Sequence, residues 1–357
     1  TQGPAVPAFE EAVARYCGVQ CAVAVNSATS ALHIACVALD VNPGDLVWTT
    51  PITFVASANC ALYCGADVDF VDIDRRTYNM SVDSLADKLE KAEKKGRLPK
   101  IVMPVHFAGQ PCDMVAIHKL SQKYGFKIIE DASHAIGASY IIEGGSSSHI
   151  ADRSEVATRQ TTQITIGSCI HSHITVFSFH PVKIITTCEG GMAMTNDPVL
   201  ANRMRRLRTH GITSERELMS SRPGNEIWNY QQIELGFNYR MTDIQAALGL
   251  SQMTRLDEFV QRRHEIARRY DEAFAEFTII TPWQGADNYS SYHLYPVRIN
   301  GIESGKTQRQ VYDAFLKNGV GVNLHYIPIH LQPYYRRFGF RRGMFPNAEN
   351  YYSQAIS

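Results

Sequence analysis

The lysine at position 183 lies between two apolar stretches, in a segment 177–185 that reads Phe-Ser-Phe-His-Pro-Val-Lys-Ile-Ile. Most lysines are solvated surface charges, but apolar neighbours on both sides predict partial burial of this one. Burial disfavours the ammonium form and lowers the pKa, which an amine that forms an imine requires. Ser178 can present a hydroxyl to a phosphate, and Gly190 and Gly191 allow the backbone to approach a ligand closely.

Asp131 is a second candidate, because it ends an apolar run over 126–131 and precedes Ala-Ser-His. One interpretation is a helix N-cap, which is a common position for aspartate. The other is a carboxylate held against the nitrogen of a pyridine ring, where its negative charge keeps that nitrogen protonated. The residues alone leave both interpretations open.

Short apolar runs alternate with helical patterns through the first two-thirds of the chain, which predicts parallel strands joined by helical crossovers. Ligands in such sheets bind at the carboxyl ends of strands, where the polar residues of this chain follow the runs at 22–25, 46–49, 101–105 and 127–130. A domain boundary is predicted at 255/256, so that 1–255 form a large domain and 256–357 a small one. Residues 142–170 lack any sustained period and predict a long surface loop, either a tolerated insertion or an active-site flap.

Composition excludes several classes of function. Lys+Arg and Asp+Glu both number 35, so a zero net charge gives no electrostatic reason to expect nucleic acid. No apolar run approaches the roughly 20 residues that cross a bilayer. The eight cysteines form no C-x-x-C pair, which predicts reduced thiols and a cytoplasmic location. His171 and His173 alternate along a strand, but only Cys169 could join them, and no metal site is predicted.

Five motifs occur in the order found in a known family. They are Asn-Ser-Ala-Thr-Ser-Ala at 26–31, Thr-Pro-Ile-Thr-Phe at 50–54, Glu-Asp-Ala-Ser-His at 130–134, Phe-Ser-Phe-His-Pro-Val-Lys at 177–183 and Gly-Phe-Asn-Tyr-Arg-Met-Thr-Asp at 236–243. The chain resembles the DegT/DnrJ/EryC1/StrS sugar aminotransferases over nearly its whole length. The resemblance implies an α/β fold-type-I transferase that depends on pyridoxal 5′-phosphate (PLP). It also implies a central, mostly parallel seven-stranded sheet and a smaller C-terminal α/β domain, which we expect to be truncated here.

The resemblance also assigns roles to individual residues. Lys183 would be the catalytic lysine that forms the imine with PLP. The other implied cofactor contacts are Asp131 at the pyridine nitrogen, Phe54 on the ring, His134 near the ring or its phenolic oxygen, Ser27, Ala28, Thr29 and Ser178 at the phosphate, and Asn238 at the phosphate of the neighbouring subunit's cofactor. The implied substrate contacts are His180, His325 and Tyr326.

Structural roles compete with five of these assignments. Phe54 could be a core aromatic residue, His134 a buried structural histidine, and Asn238 the cap of a helix that starts near Thr242. His325 and Tyr326 could belong to a loop packed on the large domain.

The implied reaction transfers an amino group from L-glutamate to C4 of a UDP-linked 4-keto-6-deoxy-N-acetylhexose, as in pseudaminic acid biosynthesis, with a homodimer that shares its active sites. The first alternative is another nucleotide-sugar aminotransferase, acting at C4 (the 4-amino-4-deoxy-L-arabinose type) or at C3. A second is a catalytically silent PLP-binding homologue. Sugar dehydratases of the family carry histidine in place of the lysine, so Lys183 disfavours them. A nicotinamide dehydrogenase is disfavoured because no G-x-G-x-x-G follows the first strand.

Overall fold

A computed structural model describes residues 3–143, 161–220 and 226–357. The strands in these ranges are β1 (Cys21–Val25), β2 (Leu46–Thr49), β3 (Asp67–Phe70), β4 (Ile101–Val102), β5 (Lys127–Asp131), β6 (Ser139–Glu143), β7 (Thr161–Thr165), β8 (Ile174–Ser178), β9 (Gly191–Thr195), β10 (Ile212–Thr213), β11 (Gln231–Gln232), β12 (Ile279–Ile280), β13 (Asn288–Tyr289), β14 (Val297–Ile299) and β15 (Ala355–Ile356).

The helices connect these strands and cover the sheet. They are α1 (Ala5–Cys17), α2 (Ala28–Ala38), α3 (Ala56–Tyr63), α4 (Val82–Lys94), α5 (Met114–Tyr124), α6 (Pro198–Leu207), α7 (Asp243–Met253), α8 (Leu256–Phe274), α9 (Gly301–Ser304), α10 (Gln308–Lys317), α11 (Pro333–Arg336) and α12 (Pro346–Tyr352). Short 3-10 helices lie at Phe107–Gly109, Arg216–Leu218 and Ile329–Leu331.

Seven strands form the central sheet, in the order β1-β9-β8-β5-β4-β2-β3. The pairs from β8 to β3 are parallel, while β9 is antiparallel to both of its neighbours. The prediction of a mostly parallel seven-stranded α/β sheet is confirmed. Because parallel strands present their carboxyl ends at one edge, β5 and β8 deliver Asp131 and Ser178 to the same side of the molecule.

Helices cover both faces of the sheet, and each face has its own hydrophobic core. Along β1, Ala22 and Ala24 pack into the cluster that contains Phe9 of α1, whereas Val23 and Val25 pack into the cluster on the opposite face. This alternation follows from the two-residue period of a strand, which points successive side chains to opposite faces. Both faces are apolar, as expected for a sheet buried on both sides.

The region predicted as a long loop is partly a hairpin. Residues Thr161–Thr165 form β7, which pairs antiparallel with β6, and β13 completes a three-stranded sheet. The run Thr-Thr-Gln-Ile-Thr is rich in β-branched residues that favour strands, but its partners lie elsewhere in the sequence and no local period reveals them. Of the segment 142–170 considered as a flap, residues 144–160 lie outside the described residues.

The C-terminal third packs against the large sheet at several points. Leu256 and Val260 of α8 belong to the core on one face, and Tyr335, Phe345 and Tyr351 belong to the core on the other. Strands β12, β14 and β15 form a small sheet of their own. The division at 255/256 remains a prediction, and α8 begins at that point.

Gly191, the first residue of β9, is required for the approach of α2 to the sheet. A Cβ at this position would lie 2.5 Å from the backbone of Ser27 and Ala28. We predicted that Gly190 and Gly191 make room for a ligand; Gly190 does line the cavity described below, but Gly191 makes room for the first turn of a helix.

Replacing Gly191 by alanine is therefore expected to destabilise the fold by about 1–3 kcal/mol, because rigid backbone atoms must move to accept the methyl group. Chemical denaturation measures this free energy of unfolding. Gly321→Ala is the matched control, since a Cβ there meets no atom within 4 Å. Equal stability of the two variants would contradict the packing described here.

Candidate active site

A cavity of about 330 Å³ lies at the carboxyl ends of the central strands. It collects eleven of the twelve residues predicted from the sequence: Ser27, Ala28, Thr29, Phe54, Asp131, His134, Ser178, His180, Lys183, His325 and Tyr326. These residues come from segments spread over 300 positions of the chain, and the parallel sheet brings them together. The twelfth, Asn238, does not line the cavity.

Lys183 lies in the loop between β8 and β9, where its backbone N–H donates to the carbonyl of His180 over 2.9 Å. Loss of hydration in this half-buried position lowers the pKa of Lys183 to about 8, and the negative charge of Asp131 only partly offsets the effect. The burial predicted from the apolar neighbours is thus present. An amine with this pKa is partly neutral near pH 7, as a nucleophile or general base must be.

Asp131 is the last residue of β5, and no helix begins there, so the N-cap interpretation is wrong. Three donors fix its carboxylate: the Ser57 hydroxyl at 2.6 Å from one oxygen, and the Ser133 hydroxyl and backbone N–H at 2.6 Å and 3.1 Å from the other. Sequence reasoning missed Ser57. Its distance of 74 positions from Asp131 leaves no local signal in the chain.

The opposite wall of the cavity contains the first turn of α2. Ser27 is the N-cap, and its hydroxyl accepts a hydrogen bond from the Ser30 backbone N–H over 3.1 Å. The N–H groups of Ala28 and Thr29 have no acceptor within the helix, as in any first turn. Together with the Ser178 hydroxyl on the same cavity, they form a site suited to an anion such as a phosphate.

Phe54 and His134 occupy different environments. Phe54 is 58% exposed although it lines the cavity, so it is not a core aromatic residue, and its ring is open to a bound ligand. His134 is buried; its Nδ1 accepts from the Ala108 backbone N–H at 3.2 Å, and its Nε2 lies 3.1 Å from the Tyr326 hydroxyl. His134 therefore has structural contacts and also lines the cavity.

The three predicted substrate contacts all line the cavity. His180 is exposed, with its Nε2 3.7 Å from a carboxylate oxygen of Glu189. The Nδ1 atom of His325 lies 2.6 Å from the Ser357 hydroxyl. The ring of Tyr326 lies 6.3 Å from that of Phe54.

Asn238 lies apart from the other predicted residues. It is exposed and forms a backbone bridge with Thr209. The alternative role as a helix cap is wrong, because Thr242 caps α7 through a reciprocal pair of hydrogen bonds with Gln245.

Further contacts account for the two histidines considered as metal ligands. Nδ1 of His171 lies 2.6 Å from the Tyr140 hydroxyl, and Nδ1 of His173 accepts from the Ile128 backbone N–H. Within ranges 3–143, 161–220 and 226–357, no three His, Cys, Asp or Glu side chains are grouped as metal ligands. None of the helices in the described part of the chain combines the length and apolar character that a membrane span needs.

Comparison with known proteins identifies the family. Residues 1–357 match the DegT/DnrJ/EryC1/StrS aminotransferase family. The chain belongs to this family. It is 36% identical over 359 residues to the UDP-4-amino-4,6-dideoxy-N-acetyl-beta-L-altrosamine transaminase of Campylobacter jejuni (serotype O:2), covering 100% of this chain and 85% of that protein. It is also 36% identical over 329 residues to the GDP-perosamine synthase of Caulobacter vibrioides, covering 92% of this chain and 77% of that protein.

Solved structures agree with this assignment. The putative sugar aminotransferase Spr1654 of Streptococcus pneumoniae, in its PMP form, superposes with a TM-score of 0.81 at 29% identity, covering 100% of this chain and 85% of that one. The same protein has been solved in a PLP form. The family is PLP-dependent, so the resemblance found in the motifs is confirmed.

The residues of the cavity fit this cofactor. PLP has a phosphate, an aldehyde and a pyridine nitrogen, which require an anion site, an amine that can lose its proton, and a carboxylate. The cavity supplies the first turn of α2, Lys183 and Asp131, respectively. The first turn of α2 packs directly on Gly191, where a Cβ would meet the backbone of Ser27. This contact sets the position of the anion site relative to the loop that contains Lys183.

The lowered pKa of Lys183 predicts a pH dependence that does not require the cofactor. The neutral fraction of the amine grows as pH rises through about 8. At pH 7 roughly one such amine in ten is neutral, against roughly three in ten thousand at the ordinary lysine value. Acylation of Lys183 by an amine-directed reagent, followed by mass spectrometry over pH 6–11, should therefore show a midpoint near 8.

Lys94 is the control within the same experiment, because its exposed ammonium pairs with Glu90 and its pKa is raised. Its reactivity is expected to keep rising beyond pH 10. A Lys183 profile that coincides with that of Lys94 would show that burial does not depress the pKa.

Proposed function

We propose that this chain is a PLP-dependent aminotransferase acting on a nucleotide-linked keto sugar, with Lys183 as the lysine that binds and serves the cofactor. The observation that carries the proposal is the position of Lys183, with a pKa of about 8, in one cavity with the fixed carboxylate of Asp131 and the first turn of α2. When bound, PLP supplies an electron sink for carbanion chemistry at the amine-bearing carbon.

The protein residues provide positioning and proton transfer. The amine of Lys183 would hold the cofactor covalently and would also carry a proton on Nζ to and from the reacting carbon, because a base with a pKa near working pH is efficient. Asp131, whose carboxylate is held by Ser57 and Ser133, would pair with the pyridine nitrogen. Its fixed negative charge would keep that nitrogen protonated.

The other cavity residues hold the ends of the cofactor. The phosphate would be bound through hydroxyl and backbone N–H donors of Ser27, Ala28, Thr29 and Ser178. Phe54 would lie against the ring, an assignment supported by its 58% exposure and its place in the cavity lining. His134 and Tyr326 would lie beside the ring.

As the substrate we propose a UDP-linked 4-keto-6-deoxy-N-acetylhexose aminated at C4, with L-glutamate as the amino donor. The support is similarity to the Campylobacter jejuni transaminase and the resemblance of segments 50–56, 179–187 and 238–252 to the pseudaminic acid enzyme. The sugar nucleotide would be contacted by His180, His325 and Tyr326, which line the cavity. These polar side chains suit a hydroxylated ligand with an anionic diphosphate.

A second candidate is a C4 aminotransferase for another nucleotide sugar, because a GDP-perosamine synthase is equally identical over most of the chain. The chain is equally identical to an enzyme named for a UDP sugar and to one named for a GDP sugar. Overall identity therefore does not distinguish the two nucleotides, and the residues that line the cavity must determine which one binds. A catalytically silent homologue is disfavoured by the open cavity and by the lowered pKa of Lys183.

Turnover with purified keto sugars tests the proposal. The UDP-linked 4-keto-6-deoxy-N-acetylhexose is expected to be aminated in the presence of glutamate and PLP, with 2-oxoglutarate formed in equal amount. Lys183→Ala should lower the rate by about a thousandfold or more, since both the covalent link and the proton carrier are lost. Lys119→Ala, a change on helix α5 away from the cavity, is the control.

Preference for a GDP-linked 4-keto sugar would favour the second candidate. Undiminished turnover by Lys183→Ala would refute both.

We further propose a homodimer in which Asn238 reaches the cofactor phosphate of the partner. The segment around it exposes large apolar side chains, namely Ile227, Trp228, Leu235 and Ile244, which are 72–85% exposed. A cluster of this kind is typical of a protein interface. Asn238 is itself exposed and does not line the cavity of its own subunit, as a residue serving a partner must be.

Mixing two inactive variants tests the sharing of sites. Lys183→Ala and Asn238→Ala subunits, unfolded and refolded together in equal amounts, should recover about a quarter of the wild-type activity. Half of the random dimers are then mixed, and each mixed dimer contains one site with both native residues. If Asn238 serves its own subunit, no mixed site is complete and the activity stays at the level of the separate variants.

A cytoplasmic location is also proposed. All eight cysteines are free thiols in the structure, which fits a reducing compartment.

A further inference from the structure

The backbone N–H of Ala108 fixes the tautomer of His134. This N–H points at Nδ1 of the imidazole over 3.2 Å, and both residues are buried. A backbone N–H can only donate a hydrogen bond. Nδ1 must therefore present its lone pair and carry no proton.

The imidazole of His134 is also neutral. Burial lowers its pKa well below the ordinary value, and the positive charges that His293, Lys183 and His325 can carry lower it further. A neutral imidazole has one N–H. Since Nδ1 is the acceptor, that N–H is on Nε2.

The consequence falls on Tyr326. Its hydroxyl oxygen lies 3.1 Å from Nε2 of His134, so it accepts the imidazole proton in a hydrogen bond. Within the described residues the Tyr326 hydroxyl has no other protein partner. Its own proton is therefore directed away from His134, and Tyr326 lines the cavity that contains Lys183 and Asp131.

Tyr326 cannot act as a base in this position. Burial raises the pKa of its hydroxyl above the ordinary value, and the charge of Asp131 raises it further. The hydroxyl keeps its proton throughout the working pH range. It is a permanent donor whose direction is set by the residue behind it.

We propose that Tyr326 is an oriented hydrogen-bond donor to an oxygen acceptor bound in the cavity, and that His134 is the positioning residue that sets the direction of donation. The inference rests on the proposed function for the identity of the acceptor, which is either the phenolic oxygen of PLP or the carbonyl oxygen of the keto sugar. The first carries a negative charge when ionised and the second a partial one, so both gain from a preorganised donor.

The ring of His293 supports this arrangement from behind. It lies 4.4 Å from the ring of His134, between centroids, and is buried. The Arg263 guanidinium donates to the backbone carbonyl of His293 at 3.2 Å. Because this second ring packs against it, the imidazole of His134 has little room to flip and interchange the positions of Nδ1 and Nε2.

The tautomer can be measured directly, without turnover. In ¹⁵N-histidine-labelled protein, with PLP bound and without it, we expect His134 to show a protonated Nε2 and an unprotonated Nδ1 from pH 6 to pH 9. The resonance is assigned by its loss in the His134→Gln variant. A proton on Nδ1, or on both nitrogens, would overturn the proposal whatever the activity.

Substitutions test the donor itself. Tyr326→Phe should slow transamination about 10–100-fold, a loss at the lower end of that for one preorganised donor. Tyr334→Phe, an exposed tyrosine away from the cavity, is the control. Glutamine can place an N–H where Nε2 lies, whereas asparagine reaches only the position of Nδ1; His134→Gln should therefore retain more activity than His134→Asn at equal thermal stability.

Two further readouts identify the acceptor. If it is the phenolic oxygen, Tyr326→Phe shifts the absorbance maximum of the PLP-loaded protein or its pH midpoint before any sugar is added. If it is the sugar carbonyl, the spectrum stays unchanged and only the half-reaction with the keto sugar slows. If Tyr326→Phe changes neither while Lys183→Ala is inactive, the donor proposal fails and the proposed function stands.

Discussion

Removal of the Lys183 amine from water is the interaction on which the site depends. In solution this amine would be almost entirely protonated near pH 7, and a protonated amine neither forms an imine nor accepts a proton. Partial burial disfavours the charged amine and lowers its pKa, and the negative charge of nearby Asp131 offsets only part of this shift. The site thus combines a carboxylate for the cofactor nitrogen with an amine that stays partly neutral, which requires the two groups to be held at a fixed separation.

The scaffold provides that separation. Asp131 ends β5, in the middle of the central sheet. Lys183 lies in the loop that connects β8, the strand next to β5 in the sheet, to β9. The residue before Asp131 anchors the strand from the opposite face: buried Glu130 accepts hydrogen bonds from His106, Ser172 and Thr175. Burial opposes ionisation of Glu130, but these donors outweigh it and lower its pKa. Both carboxylate oxygens of Glu130 thus accept hydrogen bonds, and these bonds hold the end of β5 in place.

Much of this site could be predicted from the sequence, because its signals are local. Apolar runs that end in polar residues revealed the strands, and parallel pairing places such ends together. The apolar neighbours of Lys183 were enough to predict its lowered pKa. Asp131 and the first turn of α2 were found by their position just after a strand, whereas Phe54 was assigned by the family resemblance.

The remaining features depend on contacts between distant parts of the chain. Ser57 reaches Asp131 across 74 positions, and β7 forms a strand only because β6 lies beside it. The role of Gly191 follows from the helix that packs on it, and the tautomer of His134 is set by a backbone N–H that no side-chain pattern encodes. The domain division and the sharing of sites through Asn238 remain predictions.

The central claim, that Lys183 bears the cofactor, is tested most directly by borohydride reduction of the PLP-loaded protein followed by peptide mapping. Reduction converts the link between PLP and its lysine into a stable amine of known mass. The account predicts a single modified peptide that contains Lys183, with no modification once glutamate has converted the cofactor to its amine form. A label on another lysine, or none at all, would contradict it.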